Sequence, residues 1–229
     1  MGHPHQYDTA NKQAVRDIAL RLKDKRKKKP AKVFLCFPAR ECLDLKQALA
    51  AGKIDRNTLI LAIERTNDKY YIHRFLSENF NYHFLCSDMS EIFGLMKKRT
   101  IDLAYIDICG CMTPEFVSLL RRLQPYLSKK CLVSLTTLHA NRGCKAFVDE
   151  MAVPFTDEFL NNIPSNFHQF IDFELTDKTE ETFDNAWKHA SITSNALGFT
   201  TTNYKNQIIY RKGSDKRKNK LMIVNVWKR

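Results

Sequence analysis

The sequence predicts an α/β fold: a doubly wound, mostly parallel sheet with helices on both faces and a C-terminal antiparallel β-hairpin. Three observations lead to it. Short, nearly continuous apolar runs recur at 32–37 (KVFLCF), 58–63 (TLILAI), 83–86, 103–108 and 131–135, the pattern of strands covered on both faces rather than one. Stretches of helical periodicity separate these runs, and alternation of this kind builds a parallel sheet. Near the C-terminus the repeat gives way to two strand patterns, 206–211 and 221–228, joined by a basic loop, and LMIVNVWK is the clearest strand signal in the last third.

Each element has its own local reason. Residues 8–29 form a helix that Asp8 or Thr9 can cap, with Ala14, Val15, Ile18, Ala19 and Leu22 on one face. Its last turns are Lys and Arg, favourable at a helix C-terminus, and Pro30 ends it. After the first strand, Pro38-Ala39-Arg40-Glu41 turns into a helix through Ala51 that Gly52 stops. The second strand is followed by a helix at 68–79, the third by a helical pattern at 90–98. The fourth strand leads into a helix over 114–127, with Phe116, Val117, Leu119, Leu120 and Leu123 turned inward. A fifth strand ends in Thr136-Thr137, and a helix at 140–151 follows. Pro154 and Pro164 break the pattern across 152–173, read as an irregular helical insertion. Residues 179–197 make a strong helix with Gly198 as its C-cap. The expected organisation is a basic helical arm over 1–30 and one α/β domain over 31–229, with a helical insertion at about 152–197.

Composition narrows the partners. The chain has 229 residues and a formal net charge of +12, which favours a polyanion, since Lys and Arg release counterions from phosphate backbones. The charge gathers in two runs. One holds Lys25, Arg26, Lys27, Lys28 and Lys29; the other holds Lys216, Arg217 and Lys218. These are the expected nucleic-acid contacts, although such runs also serve as solvated faces or, in a host with a nucleus, as a nuclear address. Seven cysteines, an odd number spread through strands and helices, read as reduced thiols of a cytoplasmic protein. The N-terminus has no apolar h-region, against secretion, and no run of about 18 apolar residues occurs, so no membrane partner is expected. Neither G-x-G-x-x-G nor G-x-x-x-x-G-K-[ST] is present, which excludes a nicotinamide dehydrogenase and a P-loop NTPase.

The most informative stretch is 100–114, TIDLAYIDICGCMTP. It reads as a buried strand delivering Asp107 and a Cys109-Gly110-Cys111 turn to the carboxyl edge of the sheet, where open α/β folds bind ligands. A helix-capping role for Asp107 is the plainer alternative. Other strands end in the same way: Glu64 closes the second, and Asp88 follows the third. Four or more Cys or His with zinc spacing are missing, so no metal is expected. Tyr70, Tyr71, Phe80, Tyr82 and Phe84 could stack bases, with Tyr70 and Tyr71 the best placed outside the core.

This layout of βα units, acid-tipped strands and terminal hairpin resembles the class I S-adenosylmethionine-dependent methyltransferases over roughly residues 31–229. The resemblance implies that Phe37, Pro38, Ala39 and Arg40 wrap S-adenosylmethionine. Glu64 would bind its ribose hydroxyls, Asp88 with Met89 its adenine, and Asp107 would border both cofactor and acceptor. It further implies a catalytic place for Asp107 and for Cys109, whose thiolate could add to a pyrimidine ring as enzymes that methylate carbon 5 do. The first turn departs from the family, reading FPAREC without glycine, and the residues after Asp107 lack the prolines of the amino- and carbon-directed subfamilies. Methyl transfer to DNA or RNA is therefore expected first, a catalytically inactive relative serving as a nucleic-acid-binding or scaffolding subunit with a protein partner second, and a methyltransferase for a small molecule or protein, for which the +12 charge is incidental, third.

Overall fold

The computed structural model describes residues 10–23, 29–65, 67–108, 110–138, 144–161, 163, 168–171, 180–212 and 220–228. The chain divides into two compact units, Met1–Ile106 with Pro125–Val133, and Asp107–Gln124 with Ser134–Arg229.

The first unit is built on β1 (Val33–Cys36), β2 (Leu59–Ile63), β3 (His83–Cys86), β4 (Ile101–Asp107) and the start of β5 (Leu127–Leu138), in the order β3-β2-β1-β4-β5. β1 runs parallel to β2, with Val33 opposite Leu59, and to β4, with Phe34 opposite Leu103. β2 runs parallel to β3. Because β1 is central, all four of its residues are buried, which is why its sequence shows no alternation. Phe34, Leu35 and Leu61 are fully enclosed, each worth roughly 1.5–3 kcal/mol of transfer free energy. Helices α2 (Leu43–Ala50) and α3 (Lys69–Asn79) bridge β1 to β2 and β2 to β3, whereas α4 (Ile92–Leu95) lies on the return from β3 to β4. Right-handed crossovers put outward and return helices on opposite faces, as expected for a doubly wound sheet.

Two helices of this unit are shorter than the sequence implies. The first, α1 (Ala10–Ala19), stops well before the lysine run because Arg21 turns left-handed (φ 51°) and the Leu22 N–H reaches back to the Asp17 carbonyl at 2.8 Å. α1 is held on α2 by Arg16, whose Nε donates to Gln47 at 2.6 Å and lies 3.6 Å from Asp44. α2 starts at Leu43, directly after the expected turn at 38–41, and has Ala51 as its C-cap. The pattern at 90–98 yields one 3-10 turn and the four residues of α4, with Gly94 weakening propagation and Met96 already extended.

The second unit contains α5 (Pro114–Leu123), the end of β5, α6 (Lys145–Met151), α7 (Asp157–Asn161), β6 (His168–Ile171), α8 (Glu180–Leu197), β7 (Tyr204–Lys212) and β8 (Lys220–Lys228). Its strand order is β5-β8-β7-β6. β7 and β8 are the expected antiparallel pair, with an irregularity between Tyr204 and Asn206. α8 is buried along Ala186, Ala190, Ile192 and Leu197 and packs on α5 and β8. α5 starts where Thr113 accepts the Phe116 N–H at 3.3 Å and Pro114 fills the first position. It ends at Leu123, not 127, because Pro125 has no N–H to donate, and 124–126 tighten into a 3-10 turn.

The stretch read as irregular and helical at 152–173 contains a strand as well as α7: β6 pairs parallel to β7, His168 opposite Gln207. Four residues between Pro164 and Asp172 carry no local periodicity, so their partner in space decides their conformation. β5 begins four residues earlier than its apolar run, since Lys129 and Lys130 are exposed within it. None of the six described cysteines is in a disulfide. No helix among the described residues is long and apolar enough to cross a membrane.

Candidate functional site

In the first unit, β1 has β2 on one side and β4 on the other, so the connections leave it in opposite senses. In open α/β sheets such a switch point marks the ligand crevice, beyond the carboxyl end of the strand. The residues that follow β1 there are Phe37, Pro38, Ala39 and Arg40. Pro38 is buried and Phe37 half-buried; Arg40 is exposed. The turn closes when the Cys42 N–H reaches the Ala39 carbonyl at 2.8 Å. Lacking glycine, it places its left-handed residue at Cys42 (φ 50°), a conformation that costs an L residue roughly 1–2 kcal/mol. Burial pushes the Cys42 thiol up to about 12, so it is a packed group rather than a nucleophile. The Arg40 guanidinium lies 3.8 Å from the centroid of the Tyr71 ring.

β2 ends at Ile63, and the half-buried Glu64 extends the ladder by one bond, its N–H reaching the Cys86 carbonyl at 3.0 Å. Past β3, Asp88 is heavily engaged. Its Oδ1 accepts the Ser90 N–H at 2.8 Å, and its Oδ2 pairs with Arg65, which also reaches the Ser87 carbonyl at 3.3 Å. Glu91 accepts the N–H groups of Ser87 and Asp88 at 3.0 and 2.9 Å, completing a capping box. Lys69 donates to the Ser87 hydroxyl. The Ser90 backbone bond, helped by Arg65, holds the Asp88 carboxyl below its ordinary range. Met89 is buried behind this turn.

In the second unit Asp107 is half-buried as the last residue of β4. Cys109 lies outside the described residues. The Gly110 carbonyl accepts the Leu138 N–H at 2.9 Å, which ties the turn after β4 to the end of β5. Cys111 is half-buried, as is Cys144, the residue before α6, whose thiol burial pushes up to about 11. Sequence reasoning missed His189 of α8: it is 3% exposed, and its Nδ1 lies 2.8 Å from the hydroxyl of buried Thr137. The signal available was a histidine between Ala186 and Ala190 on the apolar face of α8. Arg65 and Lys69, which organise the turn around Asp88, carried no motif at all.

The proposed nucleic-acid contacts Lys25, Arg26, Lys27, Lys28, Lys216, Arg217 and Lys218 lie outside the described residues; Lys29 is exposed. Of the aromatic candidates, Tyr70, Tyr71 and Tyr82 are exposed by 69%, 43% and 55%, whereas Phe80 is buried. Tyr70 and Tyr71 meet edge to face at 5.5 Å. Among the described residues, no group of three or more His, Cys, Asp or Glu is placed to hold a metal ion.

No protein-family model and no curated protein matches this sequence. Solved structures do match. One is the Burkholderia thailandensis 1,6-didemethyltoxoflavin-N1-methyltransferase, solved with 1,6-didemethyltoxoflavin and S-adenosylhomocysteine. The match has 13% identity over 96% of this chain and 79% of that one, with a TM-score of 0.51. Another is an O-methyltransferase assigned from Klebsiella pneumoniae, at 12% identity over 99% of this chain and 83% of that one, TM-score 0.50. A third is the CurJ carbon methyltransferase, at 10% identity over 96% and 56%, TM-score 0.50. The fold is therefore that of the class I methyltransferases.

Proposed function

We propose that this protein transfers a methyl group from S-adenosylmethionine to nucleic acid. The observation that carries the reading is the switch point at β1 with a carboxylate, Glu64, at the end of the adjacent strand. A half-buried carboxylate there suits two vicinal hydroxyls, which it accepts as charge-assisted hydrogen bonds. Phe37, Pro38, Ala39 and Arg40 would line the cofactor at β1, and Met89 would supply apolar contact beside Asp88. S-adenosylmethionine supplies an electrophilic methyl group when bound. The chain's own work is then to orient it and exclude water, and Asp107 and Cys109 are the residues proposed for catalysis. The +12 charge and the exposed Tyr70 and Tyr71 favour a polyanion with unpaired bases.

A non-catalytic nucleic-acid-binding subunit is the second reading. Both Asp88 oxygens are engaged, and the turn after β1 has no glycine to admit close backbone approach. Calorimetric titration with S-adenosylmethionine and S-adenosylhomocysteine separates the two. The catalytic reading expects binding that Glu64→Ala weakens by roughly tenfold to a hundredfold, the effect of losing hydrogen bonds to a charged group. A folded wild-type protein that binds neither compound overturns it in favour of the second.

A further inference from the structure

Taking the substrate to be nucleic acid, as above, we propose that a single strand lies on the first unit where α2 and the turn before it meet α3, with phosphates on Arg40 and Lys46 and a base on Tyr70. Two cations there sit over aromatic rings instead of beside carboxylates. The guanidinium of Arg40 is 3.8 Å from the Tyr71 centroid, and Lys46 Nζ is 5.5 Å from that of Phe75. Both cations are exposed, and neither side chain has a hydrogen bond or ion pair among the described residues. Their neighbours differ in this respect. Arg65 is engaged by Asp88, Lys69 by Ser87 and Arg74 by Glu78.

A ring attracts a cation through its quadrupole but accepts none of the conventional hydrogen bonds the cation offers. Arg40 and Lys46 are therefore held in place with their donors unspent, which suits an anion rich in acceptor oxygens. A phosphate meets that need: the planar fork of Arg40 matches two of its oxygens, and Lys46 adds a point charge. Tyr71 and Phe75 are four residues apart on α3, so they share a face about one helical turn apart. The two cations they carry thus form a row along the helix, as a phosphate backbone requires.

The aromatic part of the surface adjoins this row. Tyr70 is 69% exposed and stands edge to face against Tyr71, with ring centroids 5.5 Å apart and planes at 81°. A ring braced in that way offers an open face on which any unpaired base stacks. The row begins at the turn after β1, at the switch point, so a strand bound here reaches the mouth of the crevice. Arg40 turns its side chain toward α3, which leaves its backbone to line the cofactor. Glu41, exposed beside Arg40 and without a partner among the described residues, opposes the phosphates and limits the affinity.

The test is fluorescence anisotropy of labelled oligothymidylate and oligouridylate with the whole protein at several salt concentrations. Arg40→Gln and Lys46→Gln should each weaken binding several-fold and lower the slope of log affinity against log salt by about 0.7, the single-strand value per phosphate. Tyr70→Ala should weaken it roughly fivefold to a hundredfold with the slope unchanged. Glu41→Gln should tighten it. Lys130→Gln, which removes an exposed charge from β5, is the control and should bind as the parent does. Calorimetry with S-adenosylmethionine on Lys46→Gln separates the strand from the cofactor: parental cofactor binding with weakened oligonucleotide binding supports the surface. The same oligonucleotide losses in a protein that binds no S-adenosylmethionine would end the methyl-transfer reading and still support it. Losses in the Arg40, Lys46 and Tyr70 variants no larger than that of Lys130→Gln, or a parent with no affinity for either oligonucleotide, would overturn the proposal.

Discussion

Nδ1 of His189 on α8 lies 2.8 Å from the hydroxyl of Thr137 near the end of β5, with both residues buried. The bond joins a helix to a strand inside the second unit, where water cannot substitute for a lost partner. Thr137→Val keeps the shape and removes the oxygen, leaving a ring nitrogen short of a bond. We expect a loss of about 1–3 kcal/mol by urea denaturation at unchanged m-value. Thr137→Ser should retain most of the bond and cost less; a Val variant as stable as the parent would show that the pair contributes nothing net.

Asp88 sets a pH dependence whose sign follows from its hydrogen bonds. Its carboxyl is held below the ordinary 3.8 by the Ser90 N–H and by Arg65. A depressed folded-state value means the stabilisation is fully present above the unfolded value and disappears as pH falls through the folded one. Asp88→Asn should therefore lower the melting temperature at about pH 7, and the gap from the parent should shrink as pH falls below the ordinary carboxylate value of 3.8. The side chain is 35% exposed, so solvent screening keeps the effect small. A gap that is constant with pH would assign the loss to geometry instead of charge.

Nucleic-acid binding, if it uses the two basic runs, has a salt signature. Each phosphate neutralised contributes to the slope of log affinity against log salt. Replacing Lys25, Arg26, Lys27, Lys28 and Lys29 by Gln should weaken binding to a single-stranded oligonucleotide and flatten that slope, whereas Tyr71→Ala should weaken binding by about 1–3 kcal/mol per stacked base with the slope intact. Fluorescence anisotropy at several salt concentrations measures both. Affinity that is insensitive to salt in the parent would remove the polyanion from the proposed function.

What was legible in the sequence depended on how local its cause is. The apolar runs of β1 to β4 announced a parallel sheet because central strands such as Val33–Cys36 are buried on both faces. Gly52 and Gly198 marked the ends of α2 and α8 because both adopt left-handed backbone, at φ 65° and 64°. The acid-tipped strand ends placed Glu64 and Asp107 correctly along the chain. Features that depend on contacts between distant residues were silent. β6 needs β7 to exist, His189 needs Thr137, and Arg65 is informative only beside Asp88. The bond from the Leu138 N–H to the Gly110 carbonyl, which ties the turn after β4 to the end of β5, is likewise encoded by no spacing.

The two helix-ending glycines separate backbone conformation from packing. At both positions an alanine meets the left-handed penalty, roughly 1–2 kcal/mol. Around Gly52 nothing lies within 4 Å of the added methyl, so Gly52→Ala should cost that amount and no more. At Gly198 the methyl would come within 3.0 Å of Gln124 Nε2 and 3.4 Å of its Cγ. Gln124 follows α5, and α5 packs on α8, so the amide must swing aside or the end of α8 must shift. Gly198→Ala should therefore exceed Gly52→Ala by about 1 kcal/mol in denaturant unfolding, the low end of overpacking costs. Equal losses would mean that Gln124 moves freely and that the junction of α5 with α8 is loosely packed at this end.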